Sequence, residues 1–276
     1  MTIIKAIILG IVQGLTEFLP VSSSGHLALT QQLLKVPEDR VFFLTVMLHL
    51  GTLVSVLIVY SKDIFYLIKE GLLLLIDLLT GKGFLVNNDY RKLAVMIIAA
   101  SIPTGLMGIF LKDIFSSFYT SSLIIGIALI ITGSLLWFAE RFHKGVKGVK
   151  DMKWYDAVFV GIFQGLAITP GISRSGSTIV GALLRGFNKE LATKFSFLMS
   201  IPVILGATLL ETKEALESGL GDLTFGILAA GIIAAFLSGV FAIRTLINFI
   251  QKEKLYYFSF YTWALGAIII VLSIIR

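Results

Sequence analysis

The sequence contains no cysteine. Disulfides, thiolate nucleophiles and Cys-ligated metals are therefore excluded. Charge is scarce too: Asp, Glu, Lys and Arg make up 14% of the 276 residues, against about 25% in an ordinary soluble domain. So little polar surface cannot cover a soluble globule. Disorder is excluded by the hydrophobic content of 57%. Absent as well are the alternating segments of roughly ten residues that build a transmembrane barrel. The apolar runs are long and continuous instead, and the class is an all-α integral membrane protein. In that class a net charge of +6 serves orientation and headgroup contact, not nucleic-acid binding.

Six runs approach the ~20 residues needed to cross hydrocarbon: 41–61, 93–111, 114–139, 195–210, 223–243 and 255–275. The fourth is short, and Lys194 beside it can snorkel. Segment 63–80 carries Lys69, Glu70 and Asp77 among leucines, so it is expected to lie along the interface. The start of the chain, with Lys5 ahead of an apolar stretch, mimics a signal peptide. Glu17 interrupts the stretch and no small-x-small site precedes it, so it is read as mature protein. Regions 2–35 and 155–187 are apolar but broken, the first at Glu17 and Pro20–His26, the second at Pro170–Gly176. Each half is too short to span.

The two broken regions resemble each other. Gly10-Ile11-Val12-Gln13-Gly14-Leu15 matches Gly161-Ile162-Phe163-Gln164-Gly165-Leu166, and Ser22-Ser23-Ser24-Gly25 aligns with Ser173-Arg174-Ser175-Gly176. A single membrane domain, 1–276, is thus expected to consist of two repeats, 1–145 and 150–276. Loop 141–153 holds Arg141, Lys144, Lys147, Lys150 and Lys153, which places it in the cytoplasm. Loop 211–222, with Glu211, Glu214, Glu217 and Asp222 against Lys213, fits the outside; 185–194 and 244–254 are basic and fit the inside. Region 155–187 then enters and leaves on one face, and counting backwards puts 2–35 into the opposite face. The expected architecture is an inverted-topology repeat of about six transmembrane helices plus two re-entrant hairpins, with the broken tips meeting near the midplane.

Irregular backbone at that depth is tolerated only inside protein or along a wet cavity. Each tip offers Pro, Gly and hydroxyls before a following helix, whose N-terminus attracts anions. Arg174 adds a planar fork suited to phosphate. Glu17, His26 and Arg174 are costly there and should pair or bind something. Ser23 and His26 are three apart at a helix start and share a face, a spacing that permits the hydroxyl to reach the imidazole or a shared ligand. Blander roles stand beside these. Arg174 could clamp backbone carbonyls, Glu17 could merely pair with Arg174, and the serines could only cap helices. Gln13 and Gln164 could bridge helices. His49 reads as packing or a helix–helix hydrogen bond, and His143 as solvated. An anion site between inverted repeats describes an enzyme or a transporter equally well.

The stretch Gln13–His26, the string Pro170–Gly176, Leu48-His49-Leu50-Gly51-Thr52 and Ala100-Ser101-Ile102-Pro103 with Gly108 resemble the signatures of the undecaprenyl-diphosphatase, or bacitracin-resistance, family over the whole chain. The resemblance implies hydrolysis of a polyprenyl diphosphate lipid to the monophosphate and phosphate, recycling the carrier for cell-wall synthesis. The alternative is a flippase of that carrier. It implies Glu17, Ser23, His26 and Arg174 as catalytic residues. It further implies diphosphate contacts from Gln13, Ser22, Ser24, Gly25, Ser173, Ser175 and Gly176, and a divalent cation, Mg2+ or Ca2+, on Glu17. Some members carry Glu where this chain has Gln13, which puts a paired-carboxylate metal site in doubt. His26 would be the nucleophile, or the acid/base for Ser23 or water. A bacterial cytoplasmic membrane is implied, with membrane lipids around the chain, the site open to the external face and bacitracin competing by sequestering the substrate. Oligomeric state stays open, a homodimer included.

Overall fold

The computed structural model describes all residues except 37, 120, 143, 219–222, 253–254 and 276, and also leaves the side chains of 38–42, 112, 116, 211, 213–218 and 251–252 undescribed. The solvated reading of His143 and the acidic side chains of 211 and 213–222 therefore lie outside the described residues. Among the described residues the chain forms twelve α-helices and no strand. They are α1 Ile3–Phe18, α2 Ser23–Leu33, α3 Glu38–Val59, α4 Ser61–Leu79, α5 Asp89–Phe110, α6 Lys112–Phe118, α7 Ser122–Phe142, α8 Trp154–Leu166, α9 Arg174–Leu184, α10 Lys189–Ser218, α11 Phe225–Lys252 and α12 Tyr256–Ile275. The protein is an all-α integral membrane protein. Five helices are long and apolar enough to cross a membrane, and α3 with α4 makes a sixth if the bent pair counts as one.

Most spans fall where the apolar runs put them, with two differences. Run 114–139 is not one helix. A short α6 ends at Phe118, and α7 starts at Ser122 with the Ser121 hydroxyl accepting from the Ile124 N–H (3.4 Å). Small hydroxyl residues compete for backbone hydrogen bonds and cut a helix without interrupting apolarity by charge. Run 195–210 is extended backwards, the helix starting at Lys189.

Between α3 and α4 the chain bends by 85°. If α3 crosses the membrane, α4 runs along it. One face of α4 is apolar and exposed at Phe65, Ile68, Leu72, Leu75, Ile76 and Leu79, the spacing of an interfacial stripe. Its acidic face is tied down: Asp77 and Glu70 take Arg91 of α5 (2.8 and 3.3 Å), and Asp63 takes Lys194 of α10 (2.5 Å).

Helices in lipid associate by close packing, because tails are as apolar as side chains, so small residues sit at the crossings. The repeated string shows this twice. A Cβ on Gly10 would strike the Gly231 carbonyl of α11, and one on Gly161 would strike the Ala100 carbonyl of α5. The Gly10 carbonyl accepts from Ser238 (3.4 Å) and the Gly161 carbonyl from Thr104 (2.8 Å). Thus α1 packs on α11 much as α8 packs on α5. α7 and α12 cross at Gly126 and Gly266, where added Cβ atoms would approach the opposite carbonyls to 3.1 and 2.7 Å. The hairpin helices are short: at 1.5 Å per residue, α2 and α9, with 11 residues each, reach only about 17 Å.

Candidate active site at the two broken tips

The first tip is built by the end of α1 and the cap of α2. Phe18 is fully buried and meets Phe197 edge-on, ring centroids 5.5 Å apart, which anchors the last turn of α1. The chain then turns through Leu19–Val21 to Ser22, whose φ of 70° is left-handed and strained for a residue with a side chain. Ser22 caps α2, its hydroxyl accepting from the Gly25 N–H (3.4 Å). The second tip repeats the device. Gly171 takes φ 91°, and Ser173 caps α9 by accepting from the Gly176 N–H (3.1 Å).

The tips touch and exchange hydrogen bonds. The Gly171 N–H donates to the Ser24 hydroxyl (3.1 Å), and the Ser175 hydroxyl donates to the Leu19 carbonyl (3.0 Å). These serines occupy matching places in the two motifs, and each reaches across to the other tip. Thr132 of α7 fastens the second tip from behind, donating to the Gly171 carbonyl (3.3 Å) and accepting from the Ser173 N–H (3.1 Å).

At the seam lies one polar group. Glu17 is 6% exposed. Its Oε1 accepts from Arg174 Nη2 at 2.6 Å, and its Oε2 accepts from the Ser23 hydroxyl at 2.7 Å and from Gln13 Nε2 at 3.0 Å. Four expected residues, 13, 17, 23 and 174, are thereby brought together from both halves. Arg174 Nη1 and Gln13 Oε1 are buried without a hydrogen-bond partner. An unpaired buried donor on a guanidinium is costly, and an anionic ligand arriving at the seam would satisfy it.

Two expectations are corrected here. His26 does not receive the Ser23 hydroxyl, because that proton goes to Glu17. His26 instead turns along its own helix: Nδ1 lies 2.7 Å from the Ser22 carbonyl, and Nε2 lies 2.7 Å from the Tyr261 hydroxyl of α12. His49 is more than packing. Its Nε2 stands 3.8 Å from Glu17 Oε2, while Nδ1 is 2.8 Å from the Thr45 carbonyl. Of the remaining expected contacts, Ser22, Ser24, Ser173 and Ser175 spend their hydroxyls on caps, on each other and on the cross-tip ties. Gly25 and Gly176 supply the capped N–H groups. Sequence reasoning missed Tyr261 and Thr132 altogether. Only His49 carried a signal, as part of Leu48–Thr52.

The model of the family described as bacitracin resistance protein BacA matches residues 6–268. The chain is 69% identical over 275 residues to an undecaprenyl-diphosphatase of Alkaliphilus metalliredigens, covering 100% of each. It is 44% identical to one of Halothermothrix orenii and 42% identical to one of Methanosphaera stadtmanae, covering 99% of each chain in both cases.

Proposed function

The chain belongs to the bacitracin resistance protein BacA family, and from that premise we propose that it hydrolyses undecaprenyl diphosphate to undecaprenyl phosphate and phosphate, as a membrane enzyme of cell-wall synthesis. The relatives it matches from end to end carry the name of that activity, which favours hydrolysis over the flippase alternative.

The observation that carries the mechanism is the 2.7 Å hydrogen bond from the Ser23 hydroxyl to Glu17. A hydroxyl paired with a carboxylate base is an activated nucleophile. His26 has both ring nitrogens engaged elsewhere, so Ser23 is the better-placed attacker. The diphosphate docks on the unpartnered Nη1 of Arg174, while Nη2 stays on Glu17. Ser23 Oγ then attacks the terminal phosphorus while Glu17 takes its proton. The bond to the bridging oxygen breaks, and undecaprenyl phosphate leaves. Water cleaves the phosphoserine and returns phosphate. Arg174 offsets the charge that develops in both steps. Ser22, Ser24, Gly25, Ser173, Ser175 and Gly176 hold the two helix N-termini beside the diphosphate.

A divalent cation fits the donor set in kind. Glu17 and the unpartnered amide oxygen of Gln13 are hard oxygen ligands one helical turn apart. Among the described residues no cluster of three or more His, Cys, Asp or Glu exists, so diphosphate oxygens and water would complete the shell. When bound, Mg2+ or Ca2+ would offset the charge of the diphosphate. The decisive assay is phosphate release from farnesyl or undecaprenyl diphosphate by purified protein in detergent. Release that chelator abolishes is expected; a clean protein that releases no phosphate with any divalent metal overturns the reading.

We place the two halves as inverted repeats in a bacterial cytoplasmic membrane, with the site open to the external face, an orientation the loop charges support, and with bacitracin withholding the lipid substrate. The matched Gly10 and Gly161 contacts accord with the repeat. Because the chain lacks cysteine, single cysteines introduced at Gly148 and Ser218 report orientation directly. An impermeant thiol reagent on intact cells should label 218 and spare 148, and the reverse pattern inverts the topology.

A further inference from the structure

Both nitrogens of His26 are spoken for, and one partner fixes the role of the other. The Ser22 carbonyl can only accept, so Nδ1, at 2.7 Å, carries the proton. Nε2 of the neutral ring is then a lone pair, and the Tyr261 hydroxyl at 2.7 Å donates to it. The two rings lie parallel within 11°, centroids 5.6 Å apart. Tyr261 comes from α12, and the platform under it is firm. α12 crosses α7 at the Gly126–Gly266 contact, and Trp263 Nε1 donates to the Ile130 carbonyl (3.2 Å) and the Ser134 hydroxyl (3.1 Å) of α7.

What His26 holds is the strained part of the first tip. Ser22 sits at φ 70° and ψ 96°, a conformation that persists only where surrounding contacts fix it. The next residue is Ser23, whose hydroxyl must point at Glu17. A chain of contacts therefore runs from the Tyr261 hydroxyl through the imidazole to the Ser22 carbonyl, and so to the turn that aims Ser23. A histidine's outer hydrogen bond sets its tautomer and ring plane, and losing such a supporting contact behind a metal-ligating histidine costs about 10–100-fold in affinity or activity, which sets the scale here.

We propose that Tyr261 is a positioning residue of the reaction, holding His26 as the Nδ1-protonated tautomer and thereby fixing the Ser22–Ser23 turn. The inference rests on the reading of Ser23 and Glu17 as the reacting pair. Its test is Tyr261→Phe in the full-length protein in detergent. The expected result is a kcat for phosphate release lowered about 10–100-fold with KM within about threefold, since Arg174 and the second tip still bind the diphosphate and only the Ser22–Ser23 turn relaxes. In protein labelled with 15N-histidine, the His26 signals, identified by their loss in His26→Asn, should move from the Nδ1-protonated pattern to a mixture of tautomers. Wild-type kcat, or an unchanged His26 spectrum, overturns the proposal. Ser23→Ala and Glu17→Gln separate the two levels. If both stay active, the reacting pair is misassigned; if both are dead while Tyr261→Phe is wild type, only the role of Tyr261 falls.

Discussion

Arg174→Ala should release phosphate at least ~10^3-fold more slowly than the wild type, the scale on which an arginine acts in phosphoryl transfer. Two effects combine. The substitution removes the cation that would meet the transferred phosphoryl group. It also strands Glu17, 6% exposed, without the partner at 2.6 Å. An uncompensated buried charge costs about 3–5 kcal/mol, so the melting temperature in detergent should fall as well. Arg174→Lys should recover little activity, because a point charge cannot present the planar fork that serves Glu17 and a phosphate together. A strut and a catalytic group are told apart by the neutral pair Glu17→Gln with Arg174→Gln. That double variant carries no stranded charge and should melt closer to wild type than Arg174→Ala does, yet stay inactive. Recovery of phosphate release in the double variant would leave the ion pair as a structural clamp.

That pair was legible before any coordinates, and the reason is physical. In a chain with 14% charge, an acidic and a basic residue inside broken apolar regions must find partners, and here they find each other across 157 residues. The tips were legible for a similar reason, since Pro, Gly and Ser interrupt runs that hydrocarbon otherwise keeps continuous. His49 showed only within the string Leu48–Thr52, and Tyr261 left no mark at all. Each sits in a helix whose composition looks ordinary, and its meaning comes only from packing, α3 bringing His49 to Glu17 and α12 bringing Tyr261 to a ring 235 residues away. The start of α7 was missed because the Ser121 hydroxyl caps it, which a search for charge-free runs cannot see. The partner of Ser23 was also misjudged. Spacing along α2 allowed His26, but the hydroxyl donates to Glu17 at the end of α1 (2.7 Å).

That last correction leads to the second large effect. Ser23→Ala should lower phosphate release at least ~10^3-fold, as expected when a nucleophile with its own base is removed, while leaving the fold intact. The hydroxyls around it make the contrast sharp. Ser24 accepts from the Gly171 N–H and Ser175 donates to the Leu19 carbonyl, so alanine at either position removes a cross-tip tie worth about 1 kcal/mol. Those variants should melt lower and keep activity within about tenfold. Among the described serines of the two tips, Ser23 alone has its proton on a carboxylate. Rapid quench of the wild type with farnesyl diphosphate should trap a phosphate ester that peptide mapping puts on Ser23 and that Ser23→Ala lacks. If water were the attacker instead, Glu17 could orient it in the space the missing hydroxyl leaves, and Ser23→Ala would keep a tenth or more of wild-type turnover. A loss of ~10^3 together with a trapped ester requires a covalent route, in which Glu17 takes the Ser23 proton, passes it to the departing undecaprenyl phosphate and, ionised again, takes a proton from the water that releases phosphate and returns it to Ser23.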